Sequence, residues 1–150
     1  MKYYHYTKGG HLETILNCGY LKLCRMGTCK NEKKAVNLTT SDEWEPTVDC
    51  IVPVSTMGGA IRFVIGDTIN PISWAKYRWV GKISPEIYDK LNRSARKHGS
   101  DISKWFVTFN AIHRKHWLAV EMLQDDKWVN VFEQDKFEQY KKLENYGSND

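Results

Sequence analysis

The sequence predicts a single, strand-rich α+β domain with short helices between the sheet segments. The first observation is the length, because 150 residues correspond to one domain of roughly 100 to 200 residues. The second is that short β-favouring runs bounded by turn residues outnumber amphipathic helical patterns. The composition, with 41% hydrophobic and 27% charged residues, is typical of globular proteins and excludes disordered and fibrous classes.

The N-terminal part of the chain predicts a strand, a helix and a second strand. Residues 2–7 form an aromatic, β-favouring run that ends at a glycine pair. From residue 11 onward apolar side chains recur at helical spacing and stop at Gly19, a residue suited to a helix C-cap. Residues 35–40 read as the second strand.

The middle of the chain predicts two further strands and the clearest helix. Residues 50–54 and 60–65 are strand candidates separated by a glycine-containing loop. The helix begins at Ser84, followed by a proline suited to the first helical position, and it stops before Gly99. An apolar stripe and a basic last turn agree with these start and stop signals.

The C-terminal third predicts a strand over residues 105–109 and a hairpin. The hairpin strands are residues 117–123 and 127–132, joined by a short polar turn. Residues 136–144 carry a weak helical stripe, and residues 145–150 are expected to be a frayed tail. No linker divides the chain, so residues 1–150 are expected to form one domain.

The cysteines and the apolar runs indicate the environment of the protein. Paired C-x-x-C spacing is lacking among Cys18, Cys24, Cys29 and Cys50, so we expect reduced thiols and no bound metal, with the roles of Cys24 and Cys29 left open. No apolar stretch approaches the ~18 residues of a membrane helix, and no secretion signal is recognisable. We therefore expect a cytoplasmic protein without a membrane partner.

Basic residues cluster at two places although the formal net charge is only +4. One cluster lies on a single face of the predicted 84–98 helix: Lys90, Arg93 and Lys97. The other lies in the polar loop 25–34: Arg25, Lys30, Lys33 and Lys34. Charge runs are usually solvated faces. Contact with a nucleic acid is the alternative, for which the loop is the better candidate.

Two residues are candidates for chemistry on the pattern of their strands alone. His5 shares one face of the first strand with Tyr3 and Thr7, and these polar groups need hydrogen-bond partners. Glu121 is the only charged residue in the otherwise apolar run 117–123, which predicts a strand covered on both faces. A buried carboxylate needs a function or an ion pair.

The sequence leaves open which cation pairs with Glu121 and whether another carboxylate is the functional one. Arg114 and Lys115, just before its strand, are possible ion-pair partners. Glu133 is a rival carboxylate, although it follows the end of the last predicted strand in an acidic, solvated cluster.

The sequence resembles the ADP-ribosyltransferase superfamily, including its DarT-like DNA-modifying branch and the RNA 2′-phosphotransferases. The resemblance covers residues 3–40 and, more loosely, residues 117–123. It is carried by Tyr4-His5-Tyr6-Thr7, Leu12 with Ile15-Leu16, Gly19-Tyr20-Leu21 and Val36-Asn37-Leu38-Thr39-Thr40. The resemblance implies an ADP-ribosyltransferase-like fold with a split antiparallel sheet and NAD as the substrate.

The resemblance also implies roles for individual residues. His5 would bind the nicotinamide-side ribose of NAD, Thr7 would support its strand, and Glu121 would be the catalytic carboxylate. These three side chains would therefore converge on one cleft. Ala119 stands where arginine-directed members carry a second acid, so a protein arginine is a poor candidate for the acceptor.

The remaining NAD-binding positions follow from the same resemblance. Thr39 or Thr40 would lie near the nicotinamide, and Tyr6 and Trp44 complete the NAD-binding set. The acceptor of ADP-ribose is unidentified, with a nucleic acid or a nucleotide as a candidate.

Three other functions stay open at this point. The protein could bind NAD or another ADP-ribose-type nucleotide as a sensor or sequestering module without catalysis. RNA 2′-phosphotransfer is a weaker alternative, since it implies further arginines and an additional basic lobe. The 13% aromatic content also allows an interaction domain without a ligand.

Overall fold

The structure is a computed structural model that describes residues 1–25, 32–49 and 53–132. The strands within these ranges are β1 (Tyr3–Lys8), β2 (Tyr20–Leu21), β3 (Val36–Thr39), β4 (Ala60–Ile65), β5 (Ile72–Ser73), β6 (Trp105–Thr108), β7 (Ile112–His113), β8 (Trp117–Gln124) and β9 (Lys127–Asn130). The helices are α1 (Leu12–Cys18), α2 (Trp74–Val80) and α3 (Pro85–Lys97). The predicted α+β class is confirmed.

Seven strands form an antiparallel sheet in the order β5-β6-β3-β1-β4-β8-β9, and β2 pairs with β7 separately. β1 pairs with β4 along its whole length. Its other edge, over the described residues, pairs with β3 only where Tyr4 lies opposite Thr39. Two well-paired halves of the sheet therefore meet at one residue pair, and the halves separate beside it.

Two hydrophobic clusters pack against opposite faces of the sheet. Phe63 and Val120, both completely buried, centre the cluster under β1, β4 and β8, against which α1 packs. Trp74 and Tyr77 of α2 stack with each other and, together with Tyr88 of α3, form the cluster beside β6. Burial of these large side chains is the main stabilising contribution on each side.

Several predicted boundaries are confirmed by their local geometry. Gly19 ends α1 in the left-handed region with φ of 76°, where a side chain would be strained. Ser84 caps α3 by accepting a hydrogen bond from the Ile87 amide. Asp125 and Asp126 form the two-residue turn between β8 and β9 with φ of 49° and 62°, as a type I′ hairpin requires.

Other predictions differ from the structure or fall outside it. α2 was not predicted. Of the strand expected over residues 50–54, only Pro53 and Val54 are described, and Val54 begins a 3-10 turn. The helix over 136–144, the tail 145–150, Glu133, Lys30, Cys29 and Cys50 lie outside the described residues. Among the helices that are described, none has the length and apolar character needed to cross a membrane.

Candidate functional site

A cleft opens where β1 and β3 separate, and it encloses about 100 Å³. The lining combines polar groups with aromatic walls. The polar residues are His5, Asn37, Thr39, Glu45 and Thr47, and the aromatic residues are Tyr4, Tyr6, Trp74, Trp105 and Phe106. Convergent polar groups in an aromatic cleft are the usual composition of a small-molecule site.

His5 is a neutral hydrogen-bonding group in this cleft. Its Nδ1 lies 2.7 Å from the Asn37 carbonyl oxygen, which can only accept, so Nδ1 carries the proton. Desolvation by the surrounding protein lowers the pKa of His5, and the hydrogen bond to Asn37 opposes that shift only in part. The neutral ring then has a lone pair on Nε2 that can accept from a ligand hydroxyl or amide.

The structure distinguishes between the two candidate threonines. Thr39 is 4% exposed, lines the cleft, and accepts a hydrogen bond from the Ser41 amide at 3.0 Å. Thr40 is half-buried and does not line the cleft. Thr7 is buried on the same face of β1 as His5, but it too is not part of the lining.

Tyr6 and Trp44 lie at the margin of the cleft. The Tyr6 hydroxyl donates to the Ser41 carbonyl at 2.8 Å. Desolvation raises the pKa of Tyr6 to about 12, although Arg62 opposes this shift, so the phenol remains a donor at neutral pH. Trp44 packs edge-on against the Tyr6 ring, with 5.5 Å between centroids, and does not line the cleft.

Glu45 supplies the cleft with a carboxylate that the sequence analysis did not identify. Its Oε1 accepts from the Thr47 hydroxyl at 2.7 Å and from the Thr47 amide, while Oε2 accepts from Trp105 Nε1 at 3.1 Å. These hydrogen bonds hold the carboxylate in one orientation. Nothing in the polar loop sequence distinguishes Glu45 from the exposed Asp42 and Glu43 nearby.

The expected convergence of Glu121 with His5 and Thr7 is wrong. Arg62 of β4 lies between Tyr6 and Glu121 in the sheet register, whereas His5 lies opposite Phe63. Since cross-strand partners share a face and neighbours along a strand alternate, Glu121 lies on the opposite face of the sheet from His5.

Glu121 is half of an ion pair on that opposite face. Its Oε1 accepts from Arg62 Nε at 2.7 Å, and the two side chains are 19% and 11% exposed, respectively. The partner is thus a residue of the neighbouring strand, and not Arg114 or Lys115 as considered above. Glu121 does not line the cleft.

The basic side chains of α3 are solvent-accessible. Lys90, Arg93 and Lys97 are all exposed. α3 contacts the 3-10 turn Pro46–Asp49, which directly follows Glu45. In loop 25–34, Arg25, Lys33 and Lys34 are exposed.

Comparison of the chain with family models, with curated proteins and with solved structures finds no match.

Proposed function

We propose that the protein binds NAD with the nicotinamide-ribose end in the cleft and transfers ADP-ribose to a nucleophilic acceptor. The observation that carries the proposal is the cleft, in which His5, Thr39 and Glu45 meet between aromatic walls. His5 and Thr39 are also positions at which the sequence resembles ADP-ribosyltransferases. The narrow β1–β3 junction is compatible with the split sheet that this resemblance implies.

The size of the cleft determines which part of NAD it would hold. About 100 Å³ is less than the roughly 300–1,000 Å³ of sites that enclose a whole drug-sized ligand. One ring with part of the ribose would occupy the cleft, and the rest of the dinucleotide would extend outside it. The Trp105 and Phe106 rings would pack against the planar nicotinamide.

The proposed chemistry is cleavage of the bond between ribose C1′ and the nicotinamide nitrogen. Nicotinamide leaves with the bonding electron pair as a neutral molecule, and a cationic, oxocarbenium-like centre develops at C1′. The Glu45 carboxylate would stabilise that charge. The acceptor then forms the new bond to C1′ and loses a proton, which the Glu45 carboxylate would accept as the base.

Binding without turnover is the second candidate function. It is favoured by the position of Glu121, because the carboxylate that the resemblance makes catalytic is engaged by Arg62 outside the cleft. A protein of this kind would sense or sequester NAD or an ADP-ribose-type nucleotide. For either function, the exposed basic face of α3 supports a nucleic acid or nucleotide as an additional partner.

Titration of the purified protein with NAD, ADP-ribose and nicotinamide tests the proposal. Binding of NAD followed by release of nicotinamide supports the transferase, and binding without release supports the sensor. The matched variant is Thr39→Val, which should weaken NAD binding, with Thr40→Val as the control outside the cleft. No binding of NAD or ADP-ribose by the folded wild type would contradict both functions.

A further inference from the structure

The segment that delivers Glu45 to the cleft is held by Tyr6 and Arg62, which lie on the same face of the sheet as Trp105. This connecting segment, residues 41–45, leaves β3 after Thr39 and passes Tyr6 before it reaches the cleft. Tyr6 donates its hydroxyl proton to the Ser41 carbonyl at 2.8 Å, and Arg62 Nη1 donates to the Asp42 carbonyl at 2.7 Å. The segment is therefore attached to β1 and β4 through its backbone.

Arg62 is itself held in one orientation by three neighbours. Its guanidinium carbon lies 4.9 Å from the Tyr4 ring centroid and 4.3 Å from that of Trp128, and its Nε donates to Glu121. The aromatic rings restrict the guanidinium to one plane. Within that plane, the hydrogen bond from Nε to Glu121 determines where Nη1 points.

We propose that Glu121 is a positioning residue that acts through Arg62 to place the connecting segment, and with it the Glu45 carboxylate, in the cleft. The chain of contacts runs from Glu121 to Arg62, from Arg62 to the Asp42 carbonyl, and along three residues to Glu45. Its effect on turnover rests on the proposed function, whereas its effect on the position of Glu45 does not.

The Trp105 indole reports on that position without any ligand. Its Nε1–H donates to Glu45 Oε2 and to the Ser100 hydroxyl, each at 3.1 Å, so its resonance in a ¹H–¹⁵N spectrum depends on where Glu45 lies. The Trp117 indole donates to the Ile112 carbonyl at 3.3 Å in the cluster under β1, β4 and β8 and serves as an internal reference. The Trp74 indole is unsuitable because its ring packs edge-on against Trp105, with 5.2 Å between centroids.

Glu121→Gln and Arg62→Lys should both move the Trp105 indole resonance toward its position in Glu45→Gln. The Trp117 resonance should stay where it is. Asp125→Asn, in the turn that joins the Glu121 strand to β9, is the matched control and should move neither resonance. If the wild type turns over NAD, Glu121→Gln should lower kcat about tenfold to a hundredfold, as expected for misplacement of a catalytic group, with little change in NAD affinity.

The outcomes separate this inference from the proposed function. An unmoved Trp105 resonance in the folded variants would overturn the inference. Equal movement of the Trp117 resonance would also overturn it, because that would indicate general loosening of the fold. If Glu121→Gln does not fold, Arg62→Lys carries the test because it keeps the charge. Failure of both to fold would assign the pair to the stability of the fold. A wild type that does not bind NAD removes the proposed function but leaves the resonance test intact.

Discussion

Two carboxylates on opposite sides of β1 have different surroundings. Glu45 lies in a cleft between aromatic rings and accepts hydrogen bonds from Thr47 and Trp105, both neutral donors. Glu121 lies on β8, on the other side of β1 in the strand order of the sheet, and is paired with the Arg62 cation at 2.7 Å. The neutral donors leave the negative charge of Glu45 uncompensated, whereas the charge of Glu121 is balanced by Arg62.

The difference shows what a lone acid in an apolar strand indicates. The cost of burying the Glu121 charge is offset by an arginine on the adjacent strand, 59 residues away in sequence. A carboxylate beside neutral donors in a cleft is better suited to stabilise a cation that develops there. The location of the compensating charge, more than the burial of the acid, separates a structural carboxylate from a candidate catalytic one.

The largest expected effect that tests this comparison is that of Glu45→Gln. Glutamine keeps the volume and accepts hydrogen bonds but lacks the charge, so nicotinamide release should fall by about 10² to 10⁴. NAD affinity should change far less, since the cation exists only as the bond breaks. Single-turnover release and equilibrium binding measure the two quantities.

The control for this variant is Glu43→Gln, an exposed residue of the same segment. It should leave nicotinamide release unchanged. A folded Glu45→Gln protein with wild-type release would show that the cleft carboxylate has no catalytic function and would remove the contrast with Glu121.

The second prediction concerns the contribution of the Glu121–Arg62 ion pair to the free energy of unfolding. Glu121→Leu should lower it by about 2–3 kcal/mol, because a mostly buried Arg62 loses its partner. Adding Arg62→Met should recover most of the loss, since an apolar pair of similar volume carries no buried charge. Urea unfolding of the two single variants and of the double variant completes the double-mutant cycle. Additive losses would mean that the two side chains are not coupled.

The strands and helix ends that the sequence predicted are those whose signals are local. Alternation, glycine at the end of α1 and the serine-proline start of α3 need no knowledge of the rest of the chain. α2 has seven residues, the same length as α1, but it was missed because its aromatic and β-branched residues, Trp74, Tyr77, Trp79 and Val80, favour strands when taken alone. Two signals could have indicated it, namely the cap in which Ser73 accepts from the Lys76 amide and the glycine at position 81 that follows the helix.

The site was predictable only where it lies on β1 and β3. His5 follows from the pattern of its strand, and Thr39 or Thr40 from the family resemblance, but Glu45 depends on how a loop folds back over the sheet. The expected convergence of Glu121 with His5 was wrong because the register between strands distant in sequence is not encoded in either strand alone. The prediction that β8 is covered on both of its faces was also wrong. Leu118 is 60% exposed at a bulge where the β4–β8 register shifts.

A smaller effect is expected on the cleft side from Thr39→Val. The change keeps the shape but removes the hydroxyl that accepts from the Ser41 amide, so the free energy of unfolding should fall by about 1–2 kcal/mol. Thr40→Val should change it by less than about 0.5 kcal/mol. Thermal unfolding of the two variants compares them, and an equal loss from both would contradict the assignment of Thr39 as the threonine of the site.

The smallest expected effect is a pH dependence that belongs to the cleft alone. The pKa of His5 is lowered in the folded protein by desolvation, so below about pH 6.5 the unfolded chain takes up a proton that the folded cleft resists. The contribution of His5 to stability should therefore be lost as the pH falls through that range, and His5→Gln should flatten the slope of unfolding free energy between about pH 7.5 and 5.5. His98→Gln, at the exposed end of α3, should leave the slope unchanged.

The Arg62 guanidinium does not contribute to this pH dependence. Burial would lower the pKa of Arg62, but its hydrogen bonds to Glu121 and Tyr6 raise it above the ordinary value, so the guanidinium stays charged throughout. A slope that survives in His5→Gln and disappears in Arg62→Met would reverse the comparison between the cleft and the ion pair.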